Sequence, residues 1–255
     1  YGVVVTPDEV VSAELVDDGF AVELASGERH RGRRMLVATG IRDELPSIPG
    51  LAEQWGTGAV VCPYCDGWEV RDKRIAVLAT GAMSTHQAQM LRQWSPQVTY
   101  FTNARDLHDD DALALTARGI RIEHRPIAAV DADADGRLRG IRLSADDRAD
   151  DGDGDTLAID SIFLHTNPVP NDVLLRELGA ATAENYGGGQ WIEVDATGRT
   201  SVPALWAVGN VVNPSATVPV AAAAGNMAGA AINGDLIEQE IRDALAAYSS
   251  VGSAS

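Results

Sequence analysis

The sequence predicts an α/β chain with a Rossmann-type three-layer unit accompanied by β-meanders, and room for a second domain. Three observations carry this. The apolar run 74–79 turns into a helical stretch, 86–94, and then a second apolar run, 98–102, which together have the length of a βαβ mononucleotide unit. Short runs of β-type residues separated by Gly and Asp turns lie on both sides of it. With 255 residues, 45% of them hydrophobic, the chain can bury one large core or two smaller ones.

The first elements are short strands. Residues 10–15 and 20–24 flank the turn Asp17-Asp18-Gly19, and residues 34–38 follow Gly27 and Gly32, so a meander ends in Met35-Leu36-Val37-Ala38-Thr39-Gly40. An apolar strand running into small residues is one way a nucleotide-binding sheet presents backbone to a cofactor. An ordinary strand end reads the same way.

Next comes Cys62-Pro63-Tyr64-Cys65, which holds both cysteines of the chain and is followed by Asp66-Gly67. A pair at this spacing is a redox dithiol or half of a metal site. Zinc needs four ligands, whereas no second pair exists and His86, His108, His124 and His165 are scattered. A structural disulfide closing so short a loop adds little stability. Dithiol/disulfide exchange is the favoured reading.

Past the dithiol, the βαβ turn Thr80-Gly81-Ala82-Met83-Ser84-Thr85 holds one glycine where a dinucleotide loop has G-x-G-x-x-G/A. After the second strand, Thr102-Asn103-Ala104 carries no charge ahead of Arg105, so a 2′-phosphate finds no cation there. Residues 127–130 and 138–143 read as strands around Asp131-Ala132-Asp133-Ala134-Asp135-Gly136. That stretch begins like a calcium loop but has Arg142 where the bidentate Glu belongs, so a hairpin turn is expected. The acidic run 146–155 reads as a solvated loop. Near the end, the apolar strand 202–208 closes on Gly209-Asn210, and a helix rich in Ala and Gly runs to about Ala247. Such small residues suit close backbone approach to a ligand or partner helix, and equally an ordinary tight core.

A net charge of −17 excludes a phosphate-backbone binder, which runs on clustered Lys and Arg. No run is apolar enough to span a bilayer, and no signal segment opens the chain. A C-x-x-C pair fits a reducing cytoplasm.

Ala-Thr-Gly at 38–40, Cys62-Pro63-Tyr64-Cys65-Asp66-Gly67, the βαβ turn and Ala207-Val208-Gly209-Asn210 before a terminal helix resemble, in order and spacing, the low-molecular-weight thioredoxin reductase family. The resemblance implies a two-domain flavoprotein, with an FAD domain in two segments (1–57 and 166–255) around an inserted NAD(P)-type domain (58–165) that carries the C-x-x-C. It implies that Cys62 exchanges with substrate, Cys65 lies against the flavin, and Asp66 manages the thiol protons as a general acid. Thr39, Gly40, Gly209, Asn210, Thr217 and Val218 would line FAD, and Gly81, Ser84 and Thr85 would meet NADPH or NADH. Asn210 stands where the family has Asp, and Pro219 brings no N–H to the flavin ring. The implied partner is a thioredoxin-like protein or a small dithiol or disulfide, and the implied assembly is a homodimer; no metal is expected. The family's first strand, glycine turn and helix for the ADP half of FAD are not among these residues, which implies an N-terminally truncated form. Two alternatives stay open: a dithiol oxidase of a natural-product pathway that hands electrons to oxygen, and a non-catalytic remnant or interaction module.

Overall fold

The computed structural model describes residues 2–144, 155–184 and 188–252. In chain order it forms β1 (Val10–Val16), β2 (Gly19–Leu24), β3 (Arg29–Gly32), β4 (Met35–Val37), β5 (Ile41–Glu44), β6 (Ala59–Val60), α1 (Pro63–Asp66), β7 (Ile75–Leu78), α2 (Ser84–Leu91), β8 (Val98–Phe101) and α3 (Asp109–Ala117). There follow β9 (Arg121–Glu123), β10 (Ile127–Ala132), β11 (Leu138–Leu143), β12 (Thr156–Ala158), β13 (Ser161–Phe163), β14 (Asn167–Pro170), α4 (Val173–Glu177), β15 (Thr182–Glu184), β16 (Gln190–Ile192), β17 (Leu205–Ala207) and α5 (Val218–Gly252). The described chain divides into two compact units. One takes the residues up to Arg42 together with those from Pro168 onward, and the other is Asp43–Asn167. The inserted unit therefore begins at Asp43, ahead of the 58 expected from the sequence, and ends at Asn167 rather than 165.

The inserted unit is built on a five-stranded sheet in the order β6-β13-β7-β8-β9, with every pairing parallel. All four residues of β7 are buried because the strand is covered on both faces. Ala76 and Leu78 pack with Leu51, Phe101, Val130 and Ile141 beneath the antiparallel sheet β10-β11-β12. Ile75 and Val77 point the other way, into Ala88 and Leu91 of α2, Leu115 of α3 and Tyr100 of β8. These are the three layers of a Rossmann-type unit.

The turn at 133–136 closes the β10–β11 hairpin, with the Gly136 N–H donating to the Asp133 carbonyl at 3.0 Å. Asp131, the first position of the calcium-like stretch, is paired with Arg142 at 3.3 Å, so its carboxylate is spent within the hairpin. No metal-binding cluster of His, Cys, Asp or Glu occurs among the described residues. Of the acidic run 146–155, all but Asp155 lies outside the described residues.

In the outer unit β1, β2 and β3 form a meander whose third strand is Arg29–Gly32 rather than the 34–38 expected from the sequence, because β4 leaves it to pair in parallel with β17. Leu205 and Ala207 of β17 enter the core made by Phe20, Val37, Leu175 and Ile192, while Trp206 and Val208 face Ala228 and Ile232 of α5. Asp235 clamps α5 to this sheet region through Arg34 at 2.5 Å and Arg199 at 2.6 Å. Helix α5 runs to Gly252, past the Ala247 that the sequence suggested. Pro219 sits in its first turn, where a missing N–H costs nothing. No described helix is long and apolar enough to cross a membrane.

Candidate functional site

The dithiol owes its geometry to Pro63 and Gly67. Cys62 is the N-cap of α1, in extended backbone, and Pro63 opens the helix where its missing N–H is no loss. The Cys62 carbonyl accepts from the N–H groups of Cys65 and Asp66, each at 3.1 Å, and the Cys62 Sγ accepts from the Cys65 N–H at 3.2 Å. Gly67 closes the turn against Trp94: a Cβ there would lie 2.3 Å from the Pro63 carbonyl oxygen and 2.5 Å from the Trp94 Nε1. Trp94 meets exposed Trp68 edge-on at 6.1 Å, and the Arg71 guanidinium covers Trp68 at 4.2 Å. From below, fully buried Gln87 of α2 donates its Nε2 to the carbonyl of Val61, one residue before Cys62, at 2.6 Å. Sequence reasoning missed Gln87, since only the fold brings α2 under this loop.

Both cysteines are free thiols, Cys62 half-buried and Cys65 exposed. They are not equivalent. A hydrogen bond to Cys62 pushes the Cys65 thiol up to about 11, with burial and the charges of Cys62 and Asp66 acting in the same direction. A stabilised thiolate at the start of the helix therefore does not describe Cys65. Burial, and then the charge of Glu69, raise the Asp66 carboxyl above the usual carboxylate range. A carboxyl of raised proton affinity, next to Cys65 in the chain, suits a group that gives and takes protons during thiol exchange.

The remaining sequence-derived residues form two further groups. At the carboxyl ends of the parallel strands β7 and β8, a cleft of about 500 Å³ is lined by Gly81, Ala82, Thr85, Ala104, Arg105 and Asp111, among others. Ser84 has a different place: it is fully buried, and its Oγ accepts from the N–H groups of Thr80 and Gly81 at 3.1 and 3.2 Å. It therefore shapes the turn from inside, and α2 begins at Ser84 rather than at His86. Asn103 and Ala104 both have positive φ, 48° and 61°, and this bend brings Arg105 onto the cleft. The segment 102–104 lacks a cation, as read from the sequence; the next residue supplies one.

In the outer unit, the β4–β17 pairing sets Thr39-Gly40 and Gly209-Asn210 at neighbouring carboxyl ends, with the Val208 N–H on the Val37 carbonyl at 3.1 Å. Gly40 and Gly209 have φ of 71° and 76°, and a Cβ on Gly40 would meet nothing within 4 Å, so the backbone is open to a close-lying group. Thr39 donates to the Asn171 carbonyl at 2.6 Å and accepts the Asn171 Nδ2 on its own carbonyl at 2.9 Å. The Asn210 Nδ2 donates to the carbonyls of Asn213, Pro214 and Ala216 at 3.0 to 3.3 Å. An aspartate, with acceptors only, would be repelled by those three carbonyls, which accounts for Asn at this position. Val218 begins α5 directly after this loop, and the carbonyl of Thr217 just before it accepts from the Ala221 N–H at 2.9 Å.

A βαβ dinucleotide-type unit carrying a C-x-x-C, inserted into a second unit with glycine-opened strand ends, defines the class to which this chain belongs. The sequence profile of the pyridine nucleotide-disulphide oxidoreductases matches residues 2–225, and the chain is a member of that family. Among its relatives, the "Thioredoxin reductase tcpT" of Claviceps purpurea is 33% identical over 143 residues, 53% of this chain and 44% of that protein. One component of the alkyl hydroperoxide reductase of Pseudomonas putida is 31% identical over 193 residues, covering 74% of this chain and 36% of the relative. The chain thus spans half or less of the length of these two curated relatives. Among solved structures, that of HlmI superposes with a TM-score of 0.81 at 39% identity, over 94% of this chain and 73% of that one.

Proposed function

We propose that this protein is an FAD-dependent dithiol/disulfide oxidoreductase that passes two electrons from NAD(P)H to the Cys62/Cys65 pair and on to a disulfide substrate. The observation that carries the reading is the asymmetry of the pair. Cys62 sits at the helix cap with its sulfur accepting a hydrogen bond, whereas the Cys65 thiol is pushed up by that bond and is next to a carboxyl of raised pKa.

The Cys62 thiolate attacks one sulfur of the substrate disulfide, forming a mixed disulfide and expelling the other sulfur, which Asp66 protonates. Cys65 then loses its proton, attacks the Cys62 sulfur and releases the second substrate thiol. The chain is left with a Cys62–Cys65 disulfide. Restoring the dithiol takes two electrons and two protons, and FAD is the group that supplies two-electron exchange between nicotinamide and disulfide. Thr39, Gly40, Gly209, Asn210, Thr217 and Val218 would hold it through backbone at the strand ends and the start of α5. Gly81 and Thr85 would receive the nicotinamide dinucleotide in the cleft, with Ser84 fixing the turn and Arg105 the nearest cation. The substrate is a thioredoxin-like protein or a small disulfide, the assembly is a homodimer, and the chemistry suits the cytoplasm.

A second reading has its own observation. Asp106 and Asp111 share the cleft with Arg105, and no cation stands at 102–104, a poor setting for a 2′-phosphate. Electrons would then run from a substrate dithiol through the pair to oxygen, giving a disulfide and hydrogen peroxide. The flavin absorbance of the FAD-loaded protein, followed without oxygen, separates the two. Bleaching by NADPH or NADH supports the reductase. Bleaching only by a small dithiol supports the oxidase, and bleaching by neither overturns both.

A further inference from the structure

We propose that His165 and His86 bind the pyrophosphate of the nicotinamide dinucleotide, in the place that glycine backbone holds in a G-x-G-x-x-G turn. The proposal rests on the reading of the cleft beside Gly81 as the nicotinamide site.

The sheet itself marks the spot. The chain lays β7, β8 and β9 side by side and then returns to set β13 on the opposite flank of β7. Strand order therefore reverses between β7 and β13, and in open parallel sheets a ligand crosses the carboxyl ends of the strands at such a reversal. Thr80 and His165 stand there, each two residues past its strand, and the His165 N–H donates to the Thr80 Oγ1 at 3.1 Å. The half-buried His165 ring lies by the Met83 backbone and within the field of His86, the exposed third residue of α2. Gly81, Ala82 and Thr85 line the cleft on the β8 side of the same turn. A dinucleotide with one half in that cleft and the other across the reversal carries its pyrophosphate over the turn.

A glycine turn holds a pyrophosphate with backbone N–H groups. This turn has fewer to offer, because the N–H groups of Thr80 and Gly81 point inward to the Ser84 Oγ. Ala82 and Met83 also put exposed side chains where glycine would let a ligand approach. Positive charge must then come from side chains. Burial lowers the His165 imidazole from its ordinary range; the Met83 backbone opposes this, and the charge of His86 adds to it. His165 is thus uncharged at neutral pH in the free protein, and an arriving anion favours its protonation. The acids nearest in the chain are engaged: Asp43 accepts from Thr166, and Glu44 from the Asn167 Nδ2 at 2.9 Å. On the β8 side the cleft presents Arg105, Asp106, His108 and Asp111, and β6, on the other flank of β13, leads to Cys62.

The test is calorimetric titration of the whole chain with ADP-ribose, which has the pyrophosphate but no nicotinamide. Saturating FAD keeps the probe from the flavin site, and buffers of different ionisation enthalpy count the protons taken up. Roughly half a proton or more is expected on binding near pH 7, with affinity at least about fivefold higher near pH 6 than near pH 8. His165→Gln and His86→Gln should each reduce the uptake and weaken binding near pH 6 by at least about threefold, with little change near pH 8. The second variant, on an exposed helical position, keeps the test valid if the first fails to fold. His86→Lys, a cation at every working pH, should tighten binding near pH 8. Binding without proton uptake would overturn the histidine clamp and leave the nicotinamide cleft standing. Uptake that survives both glutamine variants and vanishes in His108→Gln would overturn it as well. No binding of ADP-ribose, NADH or NADPH at either pH would overturn the nicotinamide reading and the clamp together.

Discussion

Replacing Gly67 with alanine tests whether the dithiol turn is set by packing on Trp94. The Gly67 backbone is helical, with φ of −62°. An alanine would ordinarily be favoured at such a site by up to about 1 kcal/mol through the entropy of the unfolded chain. Sterics oppose this. The new Cβ would sit 2.3 Å from the Pro63 carbonyl oxygen, which accepts the Gly67 N–H, and 2.5 and 2.6 Å from Nε1 and Cδ1 of Trp94. Neither is the tip of a flexible chain: one is the backbone of α1, and the other is an indole packed with Leu91 and Val70. Overpacking of this kind costs about 1–3 kcal/mol or more, which exceeds the entropic gain. We therefore expect Gly67→Ala to be destabilised by about 2 kcal/mol, or roughly 4–8 °C in Tm by calorimetry. Gly225→Ala is the control, because its Cβ meets nothing within 4 Å inside α5, and it should gain about 0.5–1 kcal/mol. Equal stabilisation of both variants would refute the claim that Gly67 is required by its contacts.

Three other expectations concern the site and its support. In the reduced protein, Cys62→Ser removes the charge of Cys62 and weakens its hydrogen bond to Cys65, so the Cys65 thiol should move from about 11 toward the ordinary 9.0 and its alkylation at pH 8 should speed up at least about tenfold; an unchanged rate by mass spectrometry would refute the coupling. Burial pushes the Asp235 carboxyl up, but hydrogen bonds to Arg34 and Arg199 outweigh it and hold the group below the usual carboxylate range. Its contribution is thus present above the unfolded carboxylate pKa near 3.9 and lost as pH falls through the lower folded value; Asp235→Asn should cost about 3 kcal/mol at pH 7 and little at pH 2, and a pH-independent loss would contradict this. Ser84→Ala, which removes the acceptor of the part-buried Thr80 and Gly81 N–H groups, should cost about 0.5–1.5 kcal/mol and weaken nicotinamide binding measured by fluorescence, while loss of stability with unchanged binding would separate the turn from the cleft.

Much of this architecture was legible because burial writes itself into sequence. The run at 75–78 reads as a central strand since both of its faces are covered, and the C-x-x-C reads as a dithiol by its spacing together with the lack of a second cysteine pair or spaced histidines in the sequence. β3, Arg-His-Arg-Gly, did not read as a strand because all four of its residues are exposed and nothing alternates. The start of α2 was misplaced because Ser84, a residue that ordinarily favours a cap, instead folds back on the turn before it. Arg105 reaches the cleft through two successive left-handed residues, Asn103 and Ala104, a bend that propensity does not foresee in Ala. The support from Gln87 under Val61 links residues 26 apart and exists only in the folded unit.

The central claim is that Cys62 and Cys65 are one two-electron couple served by nicotinamide through bound FAD. Its most direct measurement is a count of alkylatable thiols, by mass spectrometry, in the oxidised FAD-loaded protein before and after at least two equivalents of NADPH or NADH per chain, enough for both the flavin and the disulfide, without oxygen. The account predicts no modified cysteine before addition and both Cys62 and Cys65 modified after it. Two free thiols in the oxidised protein, or none after the flavin has been reduced, would contradict it.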